Sequence, residues 1–144
     1  MIRLNRKIEY ALMALRIINA RPASTRTSAK EIVEITGAPF DATARVLQQM
    51  GQSGILRSEH GAHGGYVLVR NLSEVSYYEL LECILGPQAA ARCLMPSGQC
   101  EMMSTCNIIG PLGELNRRYQ TFYKSVKIGE LLTKEEHVPH QVPV

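Results

Sequence analysis

Apolar residues recur at helical spacing near the start of the chain. Ile8, Leu12, Leu15 and Ile18 form one stripe, while Arg6, Lys7, Glu9 and Arg16 fall elsewhere on the wheel. This predicts a first helix ending near Arg21-Pro22. A polar connection from Ser24 to Thr27 leads into Ser28-Ala29-Lys30-Glu31, the pattern of a capping box, in which the serine caps the helix and the glutamate reaches back. That second helix should stop at Thr36-Gly37. Gly37-Ala38-Pro39 reads as a tight turn, since glycine tolerates a left-handed backbone and proline cannot continue the preceding helix. A third helix then spans Phe40 to about Gln52, with Val46, Leu47 and Met50 as its apolar side and Asp41, Thr43, Arg45, Gln48 and Gln49 around the remainder.

The period changes after Gly54. Ile55 to Glu59, a glycine-rich tip from His60 to Gly65, and Tyr66 to Arg70 read as strand, tip and strand. Another helix, Tyr77 to Leu85, is closed by Gly86-Pro87. Gln88 to Gly110 is irregular, and a last amphipathic helix from about Pro111 to Leu132 carries the seam Leu115, Tyr119, Phe122, Val126 and Leu131. The expected fold class is mainly α with a small β-hairpin. Residues 1–86 form a winged helix-turn-helix, 87–110 a cysteine-bearing loop and 111–134 a long helix, with a frayed tail over 135–144 in which His137 and His140 receive no role. The long apolar seam packs either on its own domain or on a second copy, and the expected assembly is a homodimer.

The chain has 144 residues, 45% hydrophobic and 20% charged, enough apolar content for one domain with a real core and too much for a disordered chain. A formal net charge of +3 is compatible with a phosphate-facing surface but does not establish one. No run approaches the ~18 apolar residues that span a bilayer, and Met1 to Arg6 lacks the apolar core of a signal peptide. A cytoplasmic location with no membrane partner is therefore expected. In that reducing compartment the four cysteines suit ligands, redox groups or packed thiols better than a disulfide framework.

Two helices around a glycine turn suggest a helix-turn-helix, whose second helix presents its N-terminal side chains to base edges in the major groove of double-stranded DNA. Those side chains are Phe40, Asp41, Thr43 and Arg45, with Gln48 further along; arginine pairs with guanine and glutamine with adenine. The hairpin adds a wing. Gly61, Gly64 and Gly65 allow close backbone approach to phosphate, while Arg57, His60 and His63 reach a groove or the backbone. Ser28, at the start of the second helix, completes the DNA-facing set. The glycine-rich tip is not a P-loop, because it lacks the lysine-serine/threonine ending and lies between strands.

Cys93, Cys100 and Cys106 form a C-x6-C-x5-C array on a segment that includes Pro96, Ser97 and Gly98. Thiolates are soft ligands that suit iron–sulfur clusters or zinc. Spacing does not choose between them, although a tight C-x2-C zinc knuckle is absent. Free thiols without metal are the plain alternative. Cys83 lies among Leu80, Leu81 and Ile84 and is expected to be a buried small hydrophobe.

Ala11-Leu12, Ser28 to Ile32, Val46-Leu47, Gly54 to Ser58 and Gly61 to Tyr66, followed by three cysteines, together resemble the Rrf-two family of regulators, the IscR and NsrR type, from Met1 to about Leu132. The resemblance implies dimeric winged-helix regulators that bind operator DNA. Many of them sense redox state, nitric oxide or iron–sulfur status through a cluster, with 2Fe–2S favoured here and 4Fe–4S possible. It also implies a fourth ligand. The histidine that many members place three residues past the third cysteine is Ile109 here, and the alternative carboxylate, from the first helix of the partner subunit, matches Glu9. Pro39 to Thr43 departs from the family's usual start of the recognition helix, and His60 replaces a frequent wing arginine, so the operator does not carry over. An enzyme built on a reactive cysteine is not expected, because no cysteine–histidine pairing is evident.

Overall fold

The computed structural model describes residues 3–133; the expected tail over 135–144, with His137 and His140, lies outside the described residues. Helix α1 spans Arg6–Ala20, α2 Ala29–Thr36 and α3 Phe40–Gln52; strands β1 and β2 span Leu56–Glu59 and Gly65–Leu68; α4 spans Tyr77–Leu85, α5 Ile109–Ser125 and α6 Ile128–Thr133. A single turn of 3-10 helix covers Arg92–Leu94.

Local signals place most of these boundaries. Asn5 caps α1 by accepting from the Lys7 N–H, and Ser28 and Glu31 form both halves of the capping box on α2. Helix α2 ends at Gly37 in the left-handed conformation, φ 71°, which costs glycine nothing. Ser76 caps α4 and Gly86 closes it. The apolar stripes of α1, α2, α3 and α4 meet in one core, in which Ile8, Leu15, Ile32, Leu47, Ile55 and Leu80 are fully buried. At about 25 cal/mol per Å² of apolar surface removed from water, this cluster is the main source of the head's stability.

The hairpin pairs β1 with β2 antiparallel, Ser58 opposite Tyr66 and Glu59 opposite Gly65. A third backbone segment joins it. Thr27 N–H donates to the Tyr66 carbonyl at 3.0 Å and Tyr66 N–H returns the bond at 2.9 Å. Gly65 permits this close approach, since a β-carbon there would lie 2.9 Å from the Thr27 carbonyl.

The expected single C-terminal helix is broken. Helix α5 stops at Ser125, and Val126 and Lys127 run extended against the start of α4, the Val126 carbonyl accepting from Tyr77 N–H at 2.8 Å. Ile128 is then fully buried in the core, with its N–H donating to the Val75 carbonyl. Periodicity alone misses this break because Val126 and Leu131 continue the apolar seam. The long-range bonds to Val75 and Tyr77 turn the chain back onto the head.

Candidate nucleic-acid interface

Helix α3 and the wing enclose an open cleft of about 770 Å³, lined by Asp41, Arg45, Gln48 and Gln52 from the helix and by Ser58, His60 and Tyr66 from the hairpin. Of the residues expected to face DNA, it brings together Asp41, Arg45, Gln48 and His60. Phe40 is 53% exposed at the first position of α3, and His63 is exposed at the wing tip. Arg57 projects from β1 and donates to Glu59 at 3.1 Å. Ser28 sits half-buried at the start of α2 with its hydroxyl engaged in the capping box.

Thr43 corrects the sequence expectation. It is fully buried, and its hydroxyl has no hydrogen-bond partner among the described residues. Positions 43, 46, 47 and 50 lie on one helical stripe, so Thr43 shares the core face with Val46, Leu47 and Met50. Its small polar group disguised an inward position.

Charge where β1 meets the tip of the wing is organised around Glu59, which accepts from Arg57 and from Arg26. These two hydrogen bonds, that from Arg57 first, hold the Glu59 carboxyl below the ordinary carboxylate range. The acid is thus neutralised, with one positive charge in excess. Sequence reading missed Arg26 because its partner lies 33 residues away; it also left out Gln52, Ser58 and Tyr66, of which the alternation of β1 and β2 could have indicated the last two. At the start of α2, the Ser28 N–H and then the Arg21 guanidinium keep Glu31 in its charged form by lowering its pKa.

The cysteine loop follows α4. The Leu94, Met95 and Gly98 N–H groups donate to the Ala91, Arg92 and Met95 carbonyls, and the Met103 and Thr105 N–H groups to Cys100 and Met102, so the segment folds on itself in successive tight turns. Gly98 lies directly on the backbone of Arg92 and Cys93, with a β-carbon placed 1.8 Å from the Arg92 carbonyl oxygen and 3.1 Å from Cys93 Cα. Only glycine fits there, and the contact draws Gly98, two residues before Cys100, against Cys93. All three thiols are half-buried and unpaired by disulfides. Among the described residues, no three His, Cys, Asp or Glu side chains are gathered in position for one metal ion. The donor set nevertheless fits soft-metal chemistry: three thiols on one short loop leave room for a ligand from outside the loop.

Glu9 lies in the first turns of α1, 30% exposed, and pairs with Arg6 at 2.8 Å. Cys83 differs from expectation, being half-buried, with its thiol donating to the Gln49 carbonyl at 3.5 Å and the Ser53 hydroxyl at 3.2 Å. Burial pushes this thiol's pKa up, which favours the uncharged, unreactive form.

No described helix is long and apolar enough to cross a membrane. Comparison with known proteins agrees with the geometry. The family model Rrf2, described as iron-dependent transcriptional regulator, matches residues 4–134. An HTH-type regulator sequence of Aquifex aeolicus is 24% identical over 139 residues, which is 95% of this chain and 94% of that protein. The HTH-type transcriptional regulator IscR of Klebsiella pneumoniae is 23% identical over 94% of this chain and 82% of that one. CymR, the global cysteine regulator of B. subtilis, shares the fold with a TM-score of 0.68 at 17% identity, over 92% of this chain and 97% of its own. A winged helix-turn-helix of this form, matched by the family model over nearly its whole length, belongs to the Rrf2 family of DNA-binding transcriptional regulators, which are not enzymes.

Proposed function

We propose that this chain acts as a homodimer that binds operator DNA under the control of an iron–sulfur cluster. The cluster would be held by Cys93, Cys100 and Cys106 of one protomer and Glu9 of the partner subunit. The observation that carries this reading is the position of the two ends of α5. Ile108, Leu112, Leu115, Tyr119, Phe122 and Val126 follow an alternating four-and-three spacing, the spacing of a helix–helix seam, and Ile108, Leu115, Tyr119 and Phe122 are 51%, 40%, 38% and 62% exposed. Phe122 and Val126, at the far end of this seam, share a groove with Leu4, Asn5 and Leu12 at the start of α1.

If two copies of α5 pair antiparallel, the start of one helix meets the end of the other. Cys106, just ahead of the seam, then comes beside the partner's α1, where Glu9 lies one turn past Asn5. This supports a ligand donated across the dimer. Such a cluster, when bound, supplies a centre that responds to redox state, nitric oxide or iron–sulfur supply. The chain's own part is to tie that centre to the relative placement of two heads. Gly86-Pro87 joins the loop directly to α4, and Gln49 of α3 donates to the Ile84 carbonyl in the last turn of α4 at 3.1 Å. A tenfold change in DNA affinity between states needs about 1.4 kcal/mol of coupling.

The test is anaerobic purification with visible absorbance, iron and sulfide analysis and sedimentation, on the wild type, Cys100→Ala and Glu9→Ala. The expected result is a coloured dimer with matching iron and sulfide, colourless in Cys100→Ala and spectrally altered in Glu9→Ala. A colourless dimer after anaerobic reconstitution would overturn the cluster and leave the zinc or free-thiol regulator, which metal analysis separates.

A further inference from the structure

We propose that the inner end of the cleft, where Ser58 and Tyr66 of the wing face the last turn of α3, seats one phosphate of the DNA backbone. This rests on reading the cleft as the nucleic-acid interface. A helix in the major groove and a hairpin reaching the neighbouring minor groove are separated by one sugar–phosphate strand, and that strand must cross whatever joins helix to hairpin. Here the join is formed by Gly51 and Gln52 on one side and Ser58 and Tyr66 on the other.

Three features suit that place to an anion. Ser58 and Tyr66 are directly opposed across the antiparallel pair, so both side chains leave the hairpin on the same face and line the cleft together. The side-chain hydrogen bonds of the hairpin converge on Glu59, and among the described residues none engages either hydroxyl. Gly51 also carries no side chain, and a β-carbon there would lie 3.5 Å from the Tyr66 ring. A larger residue at 51 would fill the gap above the ring.

The surrounding charges agree. Asp41 lines the same cleft but lies ten residues before Gly51 on α3, about 15 Å along the helix axis, at the base-reading end beside Arg45. Glu59 is opposite Gly65, on the other face of the hairpin, and is neutralised by two arginines. Three carbonyls of the last turn of α3, which would repel an anion, are occupied: Gln49 and Gly51 accept from Ser53 N–H, and Met50 accepts from Ile55 N–H. His60 closes the outer side. The seat therefore offers neutral donors to one phosphate, fixing the register of α3 without reading sequence.

The experiment uses the full-length protein, a duplex that it selects from a randomised library, and an unrelated duplex. Binding is measured by anisotropy at several salt concentrations, and methylphosphonate is substituted at each position of the selected duplex in turn. Tyr66→Phe keeps the ring against Gly51 and, like Ser58→Ala, is expected to bind both duplexes about tenfold more weakly, the size of one hydrogen bond to a charged group. Their salt slope should be unchanged, because no counterion-releasing charge is removed. One methylphosphonate position should weaken wild type yet leave Tyr66→Phe unaffected. Wild-type affinity of both variants for both duplexes would overturn the seat alone, as would a loss confined to the selected duplex, which would make these residues base readers. A wild-type protein that binds no duplex would overturn the interface reading and the seat with it.

Discussion

Helices α1 and α5 are of similar length, fifteen and seventeen residues, and both are amphipathic. Helix α1 buries Ile8, Ala11, Ala14, Leu15 and Ile18; α5 buries none of its residues. Tyr123 of α5 packs edge-on against Tyr77 of α4 at 5.3 Å, Asn116 accepts from the Ala90 N–H at 2.8 Å, and the chain returns to the core only beyond the helix, at Ile128. The head's core thus draws on α1 to α4 and on Ile128, whereas α5 is fixed at its edges and leaves its apolar seam exposed. In the proposed dimer, stability and assembly rest on different residues, and substitutions should separate them.

The largest effect on the head is expected from Leu47→Ala. Leu47 is fully buried, and truncating such a side chain costs about 2–5 kcal/mol through lost transfer energy and the cavity left behind. Urea unfolding should show a lower midpoint, and DNA binding should fall with the folded fraction. The paired substitution Leu115→Asp with Phe122→Asp should do the reverse. Both residues are exposed in the protomer, so far-UV circular dichroism should be retained while sedimentation reports monomers and affinity for a two-half-site duplex drops by about a hundredfold or more. Loss of the fold instead would mean that α5 belongs to the head's own core.

A smaller effect, about 1 kcal/mol, is expected for Glu31→Ala, which removes half of the capping box on α2. Glu31 has its pKa lowered by Ser28 and Arg21, so its contribution is present above its ordinary value of 4.5 and is lost as pH falls through the lower folded-state value. The difference in Tm between wild type and variant should therefore shrink as pH drops below 4.5. The smallest change is expected for Thr43→Val. Replacing an unpartnered buried hydroxyl with a methyl group should leave stability unchanged or raise it by up to about 1 kcal/mol, with unchanged DNA affinity. A loss of affinity would place Thr43 at the DNA after all.

Most of the head was legible along the chain because its boundaries are set by neighbours a few residues apart. Ser28 and Glu31 specify the start of α2, Gly37 its end, and the glycines around His63 the tip of the wing. The lining of the cleft and the charges on the wing were only partly legible. Arg45, Gln48 and His60 could be named from residue type, but type also nominated Thr43, and it overlooked Arg26, whose partner Glu59 is distant in sequence.

By itself the sequence determined the helical and hairpin segments, their caps and turns, the three-cysteine array and the apolar seam of α5, since each depends on spacing within one or two turns of chain. Only the tertiary structure decided that Thr43 points inward, that Thr27 pairs with Tyr66, that Val126 and Lys127 leave the helix to bind the head, and that Phe122 shares a groove with Leu4. The reason is physical: a short polar or apolar side chain is compatible with either surface or core, and the choice falls to backbone pairing and packing between segments far apart in the chain.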